Sequence, residues 1–193
     1  MKFRPIFAAI LALATPAAAS TLPIPRAGTT ILWADGGTWT VTAADHAGMD
    51  VAATGPNGAR DAIRIVDGVF PHRQDGQTTT YDAAQLAALR PLESGRVVNF
   101  LADETGPAGA SRWLIHVAIA GRETIETPAG RFEVLLVENH RRSPEPYSTQ
   151  RESLVEWSVA VALGLPVAMR AWSLVEGRAV MTLERKAVAI GLP

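Results

Sequence analysis

Arg122-Glu123-Thr124-Ile125-Glu126-Thr127-Pro128-Ala129-Gly130-Arg131-Phe132-Glu133-Val134-Leu135-Leu136-Val137-Glu138 places two runs of β-forming residues either side of a Pro-Ala-Gly turn. Proline presets φ for the first turn position, and glycine, lacking a Cβ, takes the left-handed one. A three-residue loop of this kind predicts a hairpin with Thr127 facing Arg131. The second arm carries the further signal. Val134-Leu135-Leu136-Val137 is apolar on both faces, as is Trp113-Leu114-Ile115. A strand apolar on both sides requires a second cover, from a helix, from the opposite wall of a curved sheet, or from a ligand.

The same rhythm runs outward in both directions. Thr29–Trp33 and Thr38–Ala43 flank Asp35-Gly36-Gly37, a turn that would set Trp33 opposite Trp39. Met49–Thr54 and Ala62–Val66 follow, punctuated by Gly55-Pro56-Asn57-Gly58 and Asp67-Gly68. Pro71–Thr80 is polar and reads as a loop. One helix interrupts the pattern: Asp82 caps it, Gln85 sits three residues on, Leu86 and Leu89 share a face, and Pro91 ends it. Strands resume at Arg96–Ala102 and Arg112–Ile119, then at Gln150–Ser158, and a last hairpin, Val167–Val175 with Arg178–Val188, turns at Glu176-Gly177. The expected fold is all-β and mainly antiparallel: a strongly curved sheet or partial barrel with one short helix.

The chain's first residues bear on location. Lys2 and Arg4 precede an apolar run, Ile6–Ala14, and Ala17-Ala18-Ala19 offers small side chains for cleavage between Ala19 and Ser20. A charged start, a short apolar stretch and an A-x-A exit form a secretory signal, and the stretch is too short to span a bilayer. Residues 1–19 are therefore expected to be removed, leaving 20–193 as a single β-rich domain that is periplasmic or secreted. That domain would carry sixteen basic and nineteen acidic side chains, a net charge of −3 with no basic stripe. Nucleic acid and anionic lipid surfaces are poor partners for such a surface. The chain contains no cysteine, which removes disulfides, thiolate metal sites, thiol catalysis and a lipid-modified cysteine after the signal. No later segment reaches membrane-spanning length.

Two segments resemble a known family. Leu89-Arg90-Pro91-Leu92-Glu93-Ser94-Gly95-Arg96 is similar to a "hydrophobic-x-PL-x-x-G-[KR]" segment, and Gly121–Phe132 is similar to "G-x-E-x-[VI]-x-[TV]-P-A-G-x-F". In this order they resemble a family of exported bacterial β-rich proteins classed as a domain of unknown function. Further on, Trp157, Gly164 and Val167 match the family's "W-[YF]-[AS]-P-x-x-G-x-x-V", while its aromatic and proline after the tryptophan are absent. The resemblance implies a curved half-barrel like that of the periplasmic lipoprotein carriers. It implies no activity.

The sequence offers no catalytic motif: no G-x-S-x-G, S-x-x-K, H-E-x-x-H or phosphate-cradling loop, and Gly106-Pro107-Ala108-Gly109 reads as a proline turn. His46, His72, His116 and His140 lie at no metal-ligand spacing, so neither metal nor cofactor is expected. His116 reads as a hydrogen-bonded residue at the core's edge, and His140-Arg141-Arg142 as a solvated loop in preference to a site for an anionic head group. Glu152 and Glu156 would share a strand face as exposed carboxylates. Five tryptophans, Trp33, Trp39, Trp113, Trp157 and Trp172, all fall on expected strands. Indoles supply rigid apolar area to cores and clefts alike. The reading leans away from an enzyme, toward binding of an apolar or amphipathic small molecule on the curved sheet, with Trp113, Ile115, Trp157 and Trp172 as ligand-face candidates. An envelope protein-interaction module is the alternative, and a hydrolase whose site assembles only in space is a third.

Overall fold

The computed structural model describes residues 22–66, 70–74, 76–144, 151–175 and 178–193. The signal segment with Ala19 and Ser20, the turn residues Asp67-Gly68 and Glu176-Gly177, and Glu145–Gln150 lie outside them. Twelve strands follow in chain order: β1 (Thr30–Trp33), β2 (Thr38–Asp45), β3 (Gly48–Thr54), β4 (Arg60–Val66), β5 (Phe70–Gln74), β6 (Gln77–Thr80), β7 (Val97–Gly106), β8 (Gly109–Thr127), β9 (Gly130–Arg142), β10 (Glu152–Ala160), β11 (Leu165–Val175) and β12 (Arg178–Gly191). One helix, α1 (Ala83–Ala87), sits between β6 and β7. Every strand pairs antiparallel with its chain neighbour, and β12 pairs with β1, so the expected curved sheet closes into a barrel.

In such a meander, successive connections alternate between the two ends of the barrel. The lower end carries the β2–β3, β8–β9 and β10–β11 turns and α1. The upper end carries the β1–β2, β3–β4 and β7–β8 turns and the β9–β10 connection. Inside, the wall is apolar: Ile31, Trp33, Trp39, Val41, Met49, Val51, Ile63, Ile65, Phe100, Val117, Ile119, Leu135, Val137, Trp157, Val159 and Val167 are all buried in one core. Outside it carries ion pairs such as Asp103–Arg112 and Glu156–Arg170. A lipid-facing barrel would be apolar on the outside, the reverse of this arrangement. Among the described residues no helix is long and apolar enough to cross a membrane.

The lower end is closed by three devices. α1 is held by Asp82, whose Oδ1 accepts from the Ala84 and Gln85 amides at 2.9 and 3.1 Å, and it buries Leu86. Leu89 follows in the core, and Arg90 donates to the His46 carbonyl in the β2–β3 turn. The helix has five residues, shorter than the capped run up to Pro91 allowed. A bulge between Ile119 and Gly121 bends β8 so that the β8–β9 tip reaches across the opening. There the Ala129 amide donates to the Ala187 carbonyl of β12 at 3.1 Å. The incoming N-terminal segment is the third device: a Cβ on Gly164 would lie 2.0 Å from the Pro23 carbonyl oxygen.

Two turn expectations are corrected. Thr127 faces Gly130 rather than Arg131, because the loop has two residues and Gly130, at φ 137°, already belongs to the ladder. That one-residue slip sets Ile125 opposite Phe132, bringing two apolar side chains onto one face. In the first hairpin Trp39 faces Ile31, not Trp33. The loop is Ala34-Asp35-Gly36, with Gly36 at φ 85° and the Trp33 amide donating to the Gly37 carbonyl. The indoles still meet edge-on, with ring centroids 5.2 Å apart.

Pro71–Thr80, expected as a loop, forms most of β5 and all of β6. These strands lack apolar alternation because they serve the polar part of the wall, where Thr79 is buried opposite Glu104. His140-Arg141-Arg142, also expected as a loop, ends β9. Leu114 is 38 % exposed on the outer face, so Trp113-Leu114-Ile115 is buried on one side only.

Gly48 shows how tightly the turns are fixed. Asp45 Oδ1 accepts from the Ala47 and Gly48 amides, φ is 148°, and a Cβ would lie 2.2 Å from the Ile65 carbonyl oxygen. Gly48→Ala is expected to cost about 2 kcal/mol in urea unfolding, since neither β4 nor the turn can retreat. A loss below about 0.5 kcal/mol would show that the turn yields freely.

Candidate functional site

Directly opposed residues on paired strands share a face, so the register assigns every side chain to the inside or outside of the barrel. Going up β7 the inner residues are Val98, Phe100, Ala102 and Glu104; going up β8 they are Ile119, Val117, Ile115, Trp113 and Ser111. On β9 they are Leu135, Val137, Asn139 and Arg141, and on β10 Val159, Trp157, Val155 and Ser153. Each column starts apolar at the closed lower end and turns polar toward the upper one. The inner wall from β7 to β10 is therefore graded along the barrel axis.

Glu104 organises the polar end. One carboxylate oxygen accepts from Trp113 Nε1 at 3.3 Å and Ser111 Oγ at 3.5 Å; the other accepts from Arg141 Nη2 at 2.7 Å and Thr79 Oγ1 at 3.4 Å. Burial alone would raise its pKa, but the hydrogen bond and charge of Arg141, helped by Trp113 and Thr79, outweigh it and hold the carboxyl below its usual range. Two guanidiniums lie over the Trp113 ring, Arg141 at 4.2 Å and Arg151 at 4.7 Å from its centroid. Arg151 is placed by reciprocal bonds with buried Ser143: its amide donates to Ser143 Oγ at 2.7 Å, and its carbonyl accepts from the Ser143 amide at 2.8 Å.

Tyr81 stands beside this cluster, edge-on to Phe100 at 6.1 Å, and its hydroxyl donates to the Pro71 carbonyl at 2.7 Å. Burial pushes its pKa up to about 12, so the phenol stays neutral.

Beside the β1–β2 turn, Trp39 lies between Trp33 and Trp157, with centroid distances of 5.2 and 6.5 Å. The buried indole nitrogens of Trp33 and Trp157, and Oδ1 of Asn139, find no partner among the described residues. Asn139 and Trp157 are diagonal neighbours on adjacent strands. Buried polar atoms without partners are uncommon in folded proteins, and these all belong to the inner wall.

The four candidates from the sequence do not lie together. Trp113 is in the polar end, Ile115 just below it, and Trp157 in the tryptophan cluster. Trp172 lies opposite Leu154 and Met181 on the outer face, half-buried, with Arg170 5.7 Å from its ring. Of the other residues considered, His116 sits outside, its Nδ1 2.8 Å from Asn99 Oδ1. Glu152 lies 2.6 Å from His140 Nε2 and Glu156 pairs with Arg170, so the two carboxylates act with separate partners. Among the described residues no group of three or more histidines and carboxylates is placed to hold a metal. Glu104, Thr79 and Tyr81 were not singled out from sequence, and Arg141 was named only within the basic cluster His140-Arg141-Arg142. Arg141 could have been found by parity, since it continues the inner series Leu135, Val137, Asn139.

On the outer face, Leu101 and Leu114 oppose each other, and Leu101 is 52 % exposed. With Asn99, His116, His140 and Arg142 they rim a depression of about 500 Å³.

The closed antiparallel meander is a fold seen before in solved structures. No family profile and no curated protein matches the chain. The hypothetical lipoprotein YmcC of Escherichia coli K12 superposes with a TM-score of 0.51 and 13% identity, over 86% of this chain and 84% of that one. A candidate lipoprotein of Parabacteroides distasonis gives a TM-score of 0.52 and 14% identity, over 89% of this chain and 99% of that one. At these identities the likeness is one of fold.

Proposed function

We propose that the protein is an exported, non-catalytic binding barrel that holds an amphipathic small molecule in its lumen. The observation that carries this reading is the gradient of the inner wall along β7 to β10: apolar toward the closed lower end, hydrogen-bonding and charged at the upper one. Such a lumen matches a molecule with an apolar body and a polar head, and ligand sites are commonly apolar walls with few polar anchors. The indole N–H groups of Trp33 and Trp157 and Asn139 Oδ1, without partners among the described residues, add hydrogen-bonding capacity to the inner wall. Export to the periplasm or medium is supported by the leader pattern of residues 1–19 and by the description of both structural neighbours as lipoproteins. The chain has no cysteine that could carry a lipid.

Native mass spectrometry of protein purified from its own cells tests the reading. A mass in excess of the chain that leaves on denaturation and extracts into organic solvent is the expected result. A bare chain, together with no uptake of any amphiphile offered in excess, would overturn it. The interaction-module reading is favoured by the exposed Leu101–Leu114 pair beside the outer depression. It predicts instead an excess mass equal to another protein.

A further inference from the structure

The outer face carries chemistry that the lumen does not use. Asn99, His116 and His140 stand in one cross-strand row on β7, β8 and β9, each directly opposite the next. We infer that His116 and His140 together bind a borderline divalent cation, of the zinc or copper(II) type, on the outside of the barrel. The site is separate from the lumen and stands or falls independently of the reading above.

Three observations converge. The first is register: opposed residues on one face of an antiparallel pair have Cβ atoms about 5 Å apart, a spacing from which two imidazoles can reach one ion. Both histidines line the same depression. The second is the partner behind each ring. His116 Nδ1 lies 2.8 Å from Asn99 Oδ1. An amide oxygen only accepts, so Nδ1 carries the ring proton and Nε2 keeps a lone pair. Glu152 Oε1 lies 2.6 Å from His140 Nε2, in a contact too bent to count as a hydrogen bond. A carboxylate at that distance still favours the proton on Nε2 and the lone pair on Nδ1. Metal-ligating histidines characteristically turn their second nitrogen to a carboxylate or carbonyl, which fixes the tautomer and makes the ligating nitrogen more basic.

The third observation is the wall. Leu101 and Leu114, in the next row up, flank the histidines with apolar surface that restricts water. Arg142 lines the depression too, but Glu152 is directly opposite it on β10 and offsets its charge. Imidazole nitrogen suits zinc and copper, whereas magnesium and calcium take oxygen ligands. Among the described residues no third histidine or carboxylate completes a metal-binding group, so water fills the remaining positions and the ion exchanges with solution.

The test is calorimetric titration of the purified, chelator-treated protein with zinc chloride alone. One zinc per chain is expected. His116→Ala and His140→Ala should each weaken binding roughly tenfold or more, and Glu152→Gln roughly tenfold, the scale for losing the group behind a ligating histidine. His46→Ala and His72→Ala should leave the affinity unchanged, and magnesium should give no heat. All five positions are exposed or half-buried, so the variants should fold, which circular dichroism checks. Absence of zinc binding at submillimolar concentration would overturn the inference. Affinity lost with one of the two histidines alone would overturn the shared site and leave a single surface ligand. Affinity indifferent to both would place the ion elsewhere. None of these failures touches the lumenal reading.

Discussion

Trp33→Ala is expected to lower the free energy of unfolding by about 4 kcal/mol, the largest effect of any single substitution considered. The side chain is 1 % exposed, and it lies edge-on to Trp39, which in turn contacts Trp157. Its indole N–H has no hydrogen-bond partner among the described residues, so the expected cost is one of packing. The position compounds the effect. Trp33 ends a four-residue strand that pairs with β12 at Ala187, beside a register shift, and so sits on the seam that closes the ring. Urea unfolding followed by circular dichroism checks this, with Trp172→Ala as the reference: half-buried on the outer face, it should cost about 1 kcal/mol. Comparable losses at the two positions would mean that the inner cluster is not the packing centre.

Glu104→Ala is expected to cost about 3 kcal/mol, because it leaves Arg141 with a partly buried charge and Trp113 Nε1 without an acceptor. The Arg141 side chain keeps 24 % exposure, which places the figure at the lower end for a broken ion pair. Removing the arginine as well, in Glu104→Leu with Arg141→Met, should restore most of the loss. The pH dependence follows from the direction of the shift. The folded pKa lies below the unfolded value of 4.5, so the carboxylate stabilises the protein fully above that value. This contribution fades as pH falls through the folded pKa. The gap between wild type and Glu104→Ala should therefore narrow below about pH 4.5 in parallel urea titrations. A gap that is constant from pH 7 to pH 3 would show that the ionised form contributes nothing.

How far these properties could be read from the sequence depends on which residues carried the signal. Strand alternation and glycine turns were sufficient for the antiparallel β class. The Asp82 cap correctly placed the start of the helix, because an Asx side chain bonding to the next amides is a local event. Register was harder. A Pro-Ala-Gly or Asp-Gly-Gly turn is compatible with two loop lengths, and which glycine takes positive φ is decided by pairing further along the strands. The segment Pro71–Thr80 misled for a related reason. Strand signals assume an apolar inner face, and here the inner face is polar because Thr79 meets Glu104. Arg141 was hidden in a basic triplet whose members diverge: His140 and Arg142 outward, Arg141 inward. Composition sees such a triplet as one solvated patch, and only the parity of β9 separates it. Trp172 parts from Trp157 on the same principle. A register shift between Ser158 and Val159 and another between Ala171 and Trp172 break simple counting along that pair of walls.

The order of the strands around the barrel also governs when the protein can become complete. Each strand from β2 to β12 finds a partner in the strand made just before it, so most of the wall can assemble in step with the emerging chain. The exception is the seam between β1 and β12, which joins the two ends of the sequence. Until residues 178–191 have appeared, β1 presents an unpaired edge, and the growing sheet presents another. The tie from Ala129 to Ala187 must wait as well, so the floor of the lumen is finished by the same late event that seals its side. A chain cut short before its final strand would keep both edges open and leave the tryptophan wall in water. Truncation near the C-terminus thus yields a species prone to self-association rather than a slightly smaller barrel.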